Sequence, residues 1–433
     1  MELEQTNLRY LDKIRLISRD ARLTIAVWMF YAFALGIHDV IFNLYLIEAG
    51  FTEDFLGFFL SISMFLVGFL AIPAGVIADR TSRKRILMGS AIINVIAYFI
   101  QYSILSPSLL LFSQILFGLS SGFIGVCWQP YTISVTTEQE RVHVFSVRFA
   151  FFLVANLLGS LIGGFLPSLW LGLGFATSLL QAYKYSLWIA LIPNVLSALF
   201  FIPMTVDRPE PSQSEIIKRE SRISYFGKYF HNIRNRRFIG KYATAWTISG
   251  LGAGLFVHFF NIFFSSAFGI DSATIGVIFA VYTLVVAVGN FVSPVIVDRF
   301  GKFGTIIWFQ ILSIPFLAIL SWSPLLYIAV IGFIGRGLAM NIAWPVMDVF
   351  YLEGLEKEEQ STAMGVINTG DSLSRAIGVN IGGVMLATGF LRAPFALAIV
   401  FYVASIILFY WFFTSNEDDY KNELEVVNNG KED

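Results

Sequence analysis

The chain has 433 residues, of which 56% are hydrophobic, 16% aromatic and only 14% charged. Soluble proteins carry roughly 25% charged residues, so this composition excludes a soluble globular protein and predicts a protein that crosses a membrane many times. The formal net charge of −1 gives no indication of a nucleic-acid partner, and a single cysteine, Cys127, excludes an intrachain disulfide.

Apolar stretches of about 20 or more residues predict twelve membrane-spanning helices, which we number spans 1 to 12. The spans cover residues 23–47, 55–78, 86–105, 108–136, 146–170, 185–205, 242–268, 273–297, 304–322, 324–350, 361–388 and 393–414. We therefore predict an all-α polytopic membrane protein with both termini on one side. A charged segment of about 22 residues precedes span 1, so we expect span 1 to remain as a membrane helix rather than to be cleaved as a signal.

The distribution of lysine and arginine predicts which side that is. Of the 29 basic residues, 24 lie in the termini or in the loops on the same side as the termini. The opposite loops hold only Lys184 and Arg392, and the remaining three, Arg148, Arg336 and Arg375, lie within spans. By the positive-inside rule, both termini are expected in the cytoplasm, with the protein in the plasma membrane.

These patterns divide the chain into five predicted regions. We expect a cytoplasmic amphipathic lead-in at 1–22, a six-helix bundle at 23–205, a cytoplasmic linker at 206–241, a second six-helix bundle at 242–414 and an acidic cytoplasmic tail at 415–433.

A polar loop between spans 2 and 3, residues 75–85, has the sequence GVIADRTSRKR and an echo in PVIVDRFGK at 294–302. Corresponding residues are displaced by 219 positions, so that Asp79, Arg80 and Arg83 return as Asp298, Arg299 and Lys302. The same displacement relates the glycines 159, 163 and 164 to those at 378, 382 and 383. A constant offset over so much of the chain predicts one ancestral half present twice.

With this G-x-x-x-D-R-x-x-R-K-R loop in a repeated membrane sequence, the chain resembles the major facilitator superfamily of secondary transporters. The pattern is most similar to the 12-span drug/proton antiporter-like members and covers residues 23–414. The resemblance implies two six-helix repeats that alternate access to a central site. It also implies a role in gating for Gly75, Asp79, Arg80, Arg83, Asp298 and Arg299. Span 4 departs from the antiporter pattern because Gln114 occupies roughly the place of a common arginine.

Span 1 carries a charge inside the membrane. Gly36, Asp39 and Asn43 lie at i, i+3 and i+7 on one helical face, with His38 beside them. An ionised carboxylate at this depth costs about 3 kcal/mol on insertion scales, so Asp39 should face a water-filled cavity or a partner, or be protonated. We predict that Asp39 carries a coupling proton, and the alternative is a structural tie to a neighbouring helix.

Other polar residues in the spans complete the predicted cavity. The 219-residue offset makes His258 the counterpart of Asp39, so we expect the two to face each other across the pseudo-two-fold axis. Arg336 has no obvious partner within its own helix, whereas Asp371 and Arg375 are spaced to neutralise each other at i and i+4. The predicted proton and substrate cavity contains Asp39, His38, Asn43, Trp128, Gln129, His258, Asn261, Arg336, Asp371 and Arg375.

Span 5 carries small residues at four-residue spacing, at positions 155, 159 and 163, and span 11 repeats the pattern. The run resembles an antiporter motif with its first glycine and its proline replaced. Small residues at this spacing also let helices approach closely. Two interpretations therefore remain open, a packing seam between helices and an antiport signature.

The chain lacks a phosphate-binding P-loop and an H-E-x-x-H motif, so the sequence predicts neither an ATP motor nor a metal or other cofactor. The favoured function is proton-coupled export of small amphipathic compounds. The alternative is uptake or exchange of an anionic metabolite or sugar, suggested by Arg336 and Arg375. A membrane enzyme and a channel are less favoured. As partners we expect a small-molecule substrate, protons and the lipid bilayer, with the protein acting as a monomer.

Overall fold

A computed structural model describes residues 17–207, 235–355 and 357–429 of the chain. Most of the predicted lead-in at 1–22 and most of the linker at 206–241 lie outside the described residues. So do the side chains of the predicted tail from residue 415 onwards. The described residues form α-helices joined by short connections, with no β-strand among them.

The first repeat forms six helices that correspond to spans 1 to 6. They are α1 (Arg19–Glu48), α2 (Glu53–Arg80), α3 (Arg83–Ser103), α4 (Pro107–Ser134), α5 (Glu138–Gly172) and α6 (Leu179–Leu199). At α1, α5 and α6 the side chain of the N-cap residue accepts a hydrogen bond from a backbone N–H group of the first turn. Thr137 and Glu140 form a reciprocal capping box at the start of α5, and the Ser18 hydroxyl accepts a hydrogen bond from the Ala21 amide at 3.4 Å.

The second repeat is less regular. Its helices are α7 (Arg236–Gly254), α8 (Phe260–Phe268), α9 (Ser272–Trp322), α10 (Leu326–Glu353), α11 (Lys357–Ala387) and α12 (Ala393–Asn429). Span 7 is interrupted between α7 and α8, where Val257–Phe259 forms a short 3₁₀ helix. Spans 8 and 9 both lie in α9, which breaks at Gly301 with φ of 70° and ψ of 169°. Glycine adopts this conformation without the steric cost of a Cβ.

Nine helical segments among the described residues are long and apolar enough to cross a membrane. One of them, Ser272–Trp322, covers two predicted spans because it runs through the break at Gly301. Helices α6 and α11 are 21 and 31 residues long but carry more polar side chains. The helices thus account for the twelve predicted spans of an all-α membrane protein.

Packing divides the described residues into two units. Unit 1 contains residues 17–207 together with Phe259–Leu284, and unit 2 contains residues 235–258 together with those from Val285 onwards. These units differ from the predicted bundles at spans 7 and 8, since α8 and the start of α9 pack against α1 and α5 of the first repeat. Besides the change of unit between residues 207 and 235, the division therefore also crosses spans 7 and 8.

The glycines of the repeated motif bring helices together backbone to backbone in each unit. In unit 1, a Cβ added to Gly159 of α5 would lie 2.2 Å from the Phe33 carbonyl oxygen of α1. In unit 2, a Cβ added to Gly378 of α11 would lie 2.3 Å from the Leu251 carbonyl oxygen of α7. Real Cβ atoms do not approach so closely, so these positions require glycine for close helix packing.

Candidate functional site

The side chain of Asp39 is exposed on α1, His38 is half-buried, and the predicted site residues Asn43 and Asn261 are buried. Asn43 and Asn261 are 9% and 2% exposed, and their side chains lie in contact within unit 1. The Asn43 amide donates to Asn261 Oδ1 at 3.0 Å, and Asn261 Nδ2 donates to the backbone oxygen of Asp39 at 3.0 Å. The structure therefore brings Asp39, Asn43 and Asn261 together at one level of unit 1.

His38 lies on a different face of α1 from Asp39. Its Nδ1 is 3.0 Å from the Tyr102 hydroxyl, in a hydrogen bond whose direction depends on the imidazole tautomer. The imidazole ring stacks on Phe42 with centroids 4.5 Å apart and lies 5.1 Å from the ring of Tyr98. His38 thus joins α1 to α3 inside unit 1 and is not part of the exposed face that carries Asp39.

Trp128 and Gln129 are adjacent in α4 but face in different directions. Trp128 is 4% exposed and meets the ring of Trp28 edge to face, with centroids 5.1 Å apart. Gln129 is exposed. Of these two predicted residues, Trp128 belongs to the aromatic interior of unit 1, and only Gln129 shares the exposed character of Asp39.

The predicted cationic residues of the second repeat all lie in unit 2, as does His258 in the 3₁₀ helix. Arg336 is 8% exposed, donates to the Tyr402 hydroxyl, and holds its guanidinium carbon 4.8 Å from the centre of the Phe256 ring. Its described partners are therefore a hydroxyl and aromatic rings, where the sequence suggested an anionic substrate.

The predicted pairing of Asp371 with Arg375 is confirmed. Arg375 Nε lies 2.7 Å from Asp371 Oδ2, and the side chains are 20% and 15% exposed. The guanidinium carbon of Arg375 also lies 5.4 Å from the centre of the Trp344 ring. Because one oxygen of the carboxylate is engaged by Arg375, this pair is locally neutral, as the i and i+4 spacing indicates.

An anchoring carboxylate that sequence reasoning missed, Asp207, lies at the end of unit 1 where α3 begins. Asp207 Oδ1 accepts from the Ser82 hydroxyl at 2.7 Å and from the Lys84 amide at 3.0 Å. Asp207 Oδ2 accepts from the Arg83 amide at 3.0 Å. A carboxylate at a helix N-terminus satisfies free N–H groups and interacts favourably with the helix dipole. In the sequence, Asp207 is the first acidic residue after span 6, and this position is the feature from which its capping role could have been predicted.

We call the end of unit 1 that contains Arg83, Lys84 and Arg85 the basic end. The Lys84 ammonium donates to the Ile202 carbonyl at 3.0 Å, which ties the start of α3 to the end of α6. The side chains of Asp79 and Arg80, predicted to control a gate, lie outside the described residues, and Gly75 lies within α2.

The corresponding loop of unit 2 is exposed. The side chains of Asp298 and Arg299 are exposed, and the guanidinium carbon of Arg299 lies 5.7 Å from the centre of the Phe300 ring. Lys302 forms an ion pair with the carboxylate of Glu353, which joins the loop to the end of α10. The predicted gating residues of the second repeat are therefore in a solvated or interfacial setting.

A further carboxylate, Asp271, lies at the N-terminus of α9. Its Oδ1 accepts from the Thr274 hydroxyl at 2.7 Å and from the Thr274 amide at 2.9 Å. These two hydrogen bonds, the hydroxyl bond foremost, hold the pKa of the Asp271 carboxyl below its usual range. Among the described residues, no group of three or more histidine, cysteine, aspartate or glutamate side chains is placed to hold a metal ion.

The sequence model of the Major Facilitator Superfamily matches residues 24–265 and again residues 242–430. The chain belongs to the major facilitator superfamily. The model is thus found twice along the chain, with the two matches overlapping at residues 242–265. A member of this family is a multi-pass membrane transporter and not an enzyme, so transport of a small molecule follows for this chain.

Solved structures show the same fold. A variant of the nucleoside transporter NupG is similar with a TM-score of 0.70 and 16% identity, covering 91% of this chain and 99% of that one. A bacterial homologue of the human lysosomal transporter Spinster, inward-facing and unoccupied, has a TM-score of 0.69 and 14% identity, with coverage of 91% and 97%. The human organic anion transporter MFSD10 (TETRAN) has a TM-score of 0.61 and 15% identity, with coverage of 90% and 99%. No curated protein sequence compared with the chain matches it.

Proposed function

We propose that the chain is a secondary active transporter that exports small amphipathic compounds in exchange for protons. Membership of the superfamily supports alternating access between two repeats. The sequence contains no P-loop, which supports a carrier driven by a solute or ion gradient rather than by an ATP motor of its own. The excess of lysine and arginine at the basic end supports a cytoplasmic location for that end and for both termini, in the plasma membrane.

The observation that carries proton coupling is the exposed carboxylate of Asp39 within the long helix α1, which spans Arg19–Glu48. Asp39 forms no ion pair with the described residues, and the adjacent His38 is directed towards Tyr102. A carboxylate inside the membrane and without a fixed cation is costly in its ionised form, and such residues serve as proton carriers. Asp39 is therefore the group we assign to exchange protons during the cycle.

An amphipathic substrate is supported by aromatic side chains in the first half of α1 and on α4. Trp28, Tyr31 and Trp128 lie together in unit 1, with the rings of Trp28 and Tyr31 5.7 Å apart. Small-molecule sites combine aromatic walls with a few polar groups that orient the ligand. Export, rather than import, is favoured by the antiporter-like glycine pattern of α5.

Uptake or exchange of an anionic metabolite or sugar is the second candidate. Two of the proteins with a similar fold are a nucleoside transporter and an organic anion transporter. In this chain, Arg375 remains 20% exposed in unit 2. Arg336 supports this candidate less, because it is buried against aromatic rings and donates to Tyr402.

The test uses the purified full-length chain in proteoliposomes with an imposed pH gradient. Gradient-driven movement of a fluorescent hydrophobic cation is measured for the native chain and for Asp39→Asn, and counterflow of the same compound is measured without a gradient. If Asp39 carries the proton, Asp39→Asn loses gradient-driven transport while counterflow is partly retained. The exposed carboxylate at the end of α1 provides a matched control, Glu48→Gln, which should behave as the native chain does.

Other results decide against parts of the proposal. Gradient-driven transport by Asp39→Asn at the native rate contradicts proton coupling at this residue. Loss of gradient-driven transport and counterflow together assigns Asp39 a structural role instead. Counterflow with carboxylates or phosphates but not with hydrophobic cations favours the anionic candidate over the amphipathic one.

A further inference from the structure

The start of α7 carries two exposed basic side chains on one face. Arg237 and Lys241 are four residues apart, so they lie on the same side of the helix. Neither forms an ion pair within the part of the chain that the structure describes. The ammonium nitrogen of Lys241 instead lies 5.6 Å from the centre of the Phe412 ring of α12. The two charges are therefore accessible to an anion outside the protein.

Helix α12 packs beside α7 and presents a stripe of apolar side chains to its surroundings. The stripe has three- and four-residue spacing and consists of Val400, Val403, Ile407 and Trp411, which are between 36% and 74% exposed. At 1.5 Å per residue it is about 17 Å long, whereas half of a hydrocarbon core of about 30 Å is about 15 Å. The stripe therefore has the length of one leaflet of a bilayer, which is the space that one acyl chain occupies.

Aromatic contacts place the two charges at one end of this stripe. The ring of Trp411 stacks on that of Phe412 with centroids 5.6 Å apart, and Phe412 is the ring beside Lys241. Nearer the start of α7, Phe238 meets Phe413 edge to face at 5.3 Å. Tryptophan is enriched at the level of the membrane where lipid headgroups begin. The charges and the stripe thus form one continuous surface with a polar end and an apolar length.

We propose that this surface of unit 2 binds one anionic phospholipid, with the headgroup at Arg237 and Lys241 and an acyl chain along the stripe of α12. A zwitterionic lipid covers the stripe equally well, but its net charge of zero gains little from two cations. Basic side chains near a membrane surface therefore select anionic lipids. The site goes beyond the proposed function, because Asp39 belongs to unit 1 and lipid binding needs no transport cycle.

The chain itself contains a rival partner for the two cations. Residues 417–425 follow the stripe in the sequence and include five acidic side chains. An acidic segment has no apolar chain to place against Ile407 and Trp411, so the exposed stripe favours a lipid. The two occupants also differ in what they predict. Neutralisation by the acidic segment leaves no preference between lipid headgroups, whereas the lipid site requires a preference for the anionic one.

The test places the purified full-length chain in phosphatidylcholine vesicles with a small, fixed fraction of a lipid brominated in its acyl chain. Bromine quenches tryptophan on contact, and comparison with Trp411→Phe isolates the contribution of Trp411. Each basic residue near an anionic surface contributes roughly fivefold in affinity, so we expect brominated phosphatidylglycerol to associate at least about tenfold more strongly than brominated phosphatidylcholine. In about 1 M salt, where screening acts within about 3 Å, this preference should disappear.

Variants of the basic residues locate the site. The double variant Arg237→Gln with Lys241→Gln should lower the affinity for phosphatidylglycerol to that for phosphatidylcholine. Arg22→Gln is the matched control, because Arg22 is an exposed cation on α1, where no large apolar side chain is exposed. It should keep the native preference. Equal melting temperatures of the variants and the native chain establish that each remains folded, and the salt comparison needs only the native side chains at both basic positions.

Three results overturn the proposal. They are equal quenching of Trp411 by the two brominated lipids, a preference that the double variant retains, and an equal loss of preference in Arg22→Gln. The first of these would leave the acidic segment 417–425 as the partner of the cations. Because transport is not measured, none of these results bears on the role of Asp39, and failure of proton coupling leaves this site untouched.

Discussion

Asn43 and Asn261 form a side-chain hydrogen bond of 3.0 Å between residues 218 positions apart in the chain. Asn261 Nδ2 also donates to the backbone oxygens of Asp39 and Val40, at 3.0 and 3.2 Å. One buried amide from α8 thus engages α1 at the level of the proposed proton carrier. Both amides are nearly inaccessible to water, so removing either takes one hydrogen bond from the other where water does not readily replace it.

We expect Asn261→Ala to lower the free energy of unfolding by about 1–3 kcal/mol, the cost of leaving a buried polar group unsatisfied. Asn43→Ala should cost less, because Asn261 keeps its bonds to the α1 backbone. Equilibrium unfolding in mixed detergent micelles measures both variants and the double variant, with exposed Asn368→Ala as the control. Additive effects, within about 0.3–0.5 kcal/mol, would show that the two side chains do not depend on each other.

The approach of α1 to α5 gives a second prediction. A Cβ at Gly159 would lie 2.2 Å from the Phe33 oxygen, which is backbone and cannot move aside, whereas a Cβ at Gly89 of α3 meets no atom within 4 Å. Gly159→Ala should therefore reduce the yield of folded protein and its melting temperature. Gly89→Ala should be neutral or stabilising by about 0.5–1 kcal/mol, the usual advantage of alanine in a helix. Equal melting temperatures for the two variants would contradict the close approach.

Arg336 is expected to act through its packing in unit 2. Arg336→Lys keeps the charge but loses the planar guanidinium that lies over Phe256 and donates to Tyr402. We expect a loss of about 1–3 kcal/mol in the free energy of unfolding, and little further loss when Tyr402→Phe is added. Exposed Arg299→Lys is the control. An unchanged stability combined with a raised KM for transport would instead make Arg336 a substrate ligand.

The cap of α9 gives a prediction for pH. The folded-state pKa of Asp271 lies below its usual range, while the unfolded value is about 3.9, so the stabilisation from this group is complete above about pH 4. It is lost as the pH falls through the folded-state pKa. The difference in melting temperature between the native chain and Asp271→Ala should therefore be constant from about pH 5 to 8 and shrink in more acidic buffer. Asp298→Asn, at an exposed carboxylate, is the control. A melting-temperature difference between the native chain and Asp271→Ala that stays the same in acidic buffer would contradict the capping role.

Helix positions follow from the sequence more readily than helix interruptions. Span 1 was predicted at 23–47 and α1 covers Arg19–Glu48, because a long apolar run in a membrane has no alternative to an α-helix. The break at Gly301 depends on the backbone angles of one glycine. Other glycines, such as Gly159, lie inside helices without breaking them. The presence of a glycine therefore does not predict whether a helix breaks there.

In the candidate site too, contacts within one helix can be predicted from the sequence, whereas contacts between helices cannot. The pair of Asp371 and Arg375 follows from helical spacing and is found in the structure. The bond between Asn43 and Asn261 joins two segments whose proximity is decided by tertiary packing, so no local pattern predicts it. The position of Arg148 behind two tryptophans likewise requires the arrangement of three helices.

The cap that Asp207 places on α3 has a consequence for biosynthesis. Asp207 follows Arg83 by 124 residues. At ~5–20 residues per second, translation reaches Asp207 about 6 to 25 s after Arg83. During that interval the first turn of α3 carries amides without their final acceptor, while α4, α5 and α6 are being made. Capping of α3 thus waits for the first acidic residue after span 6, which is made before the second repeat.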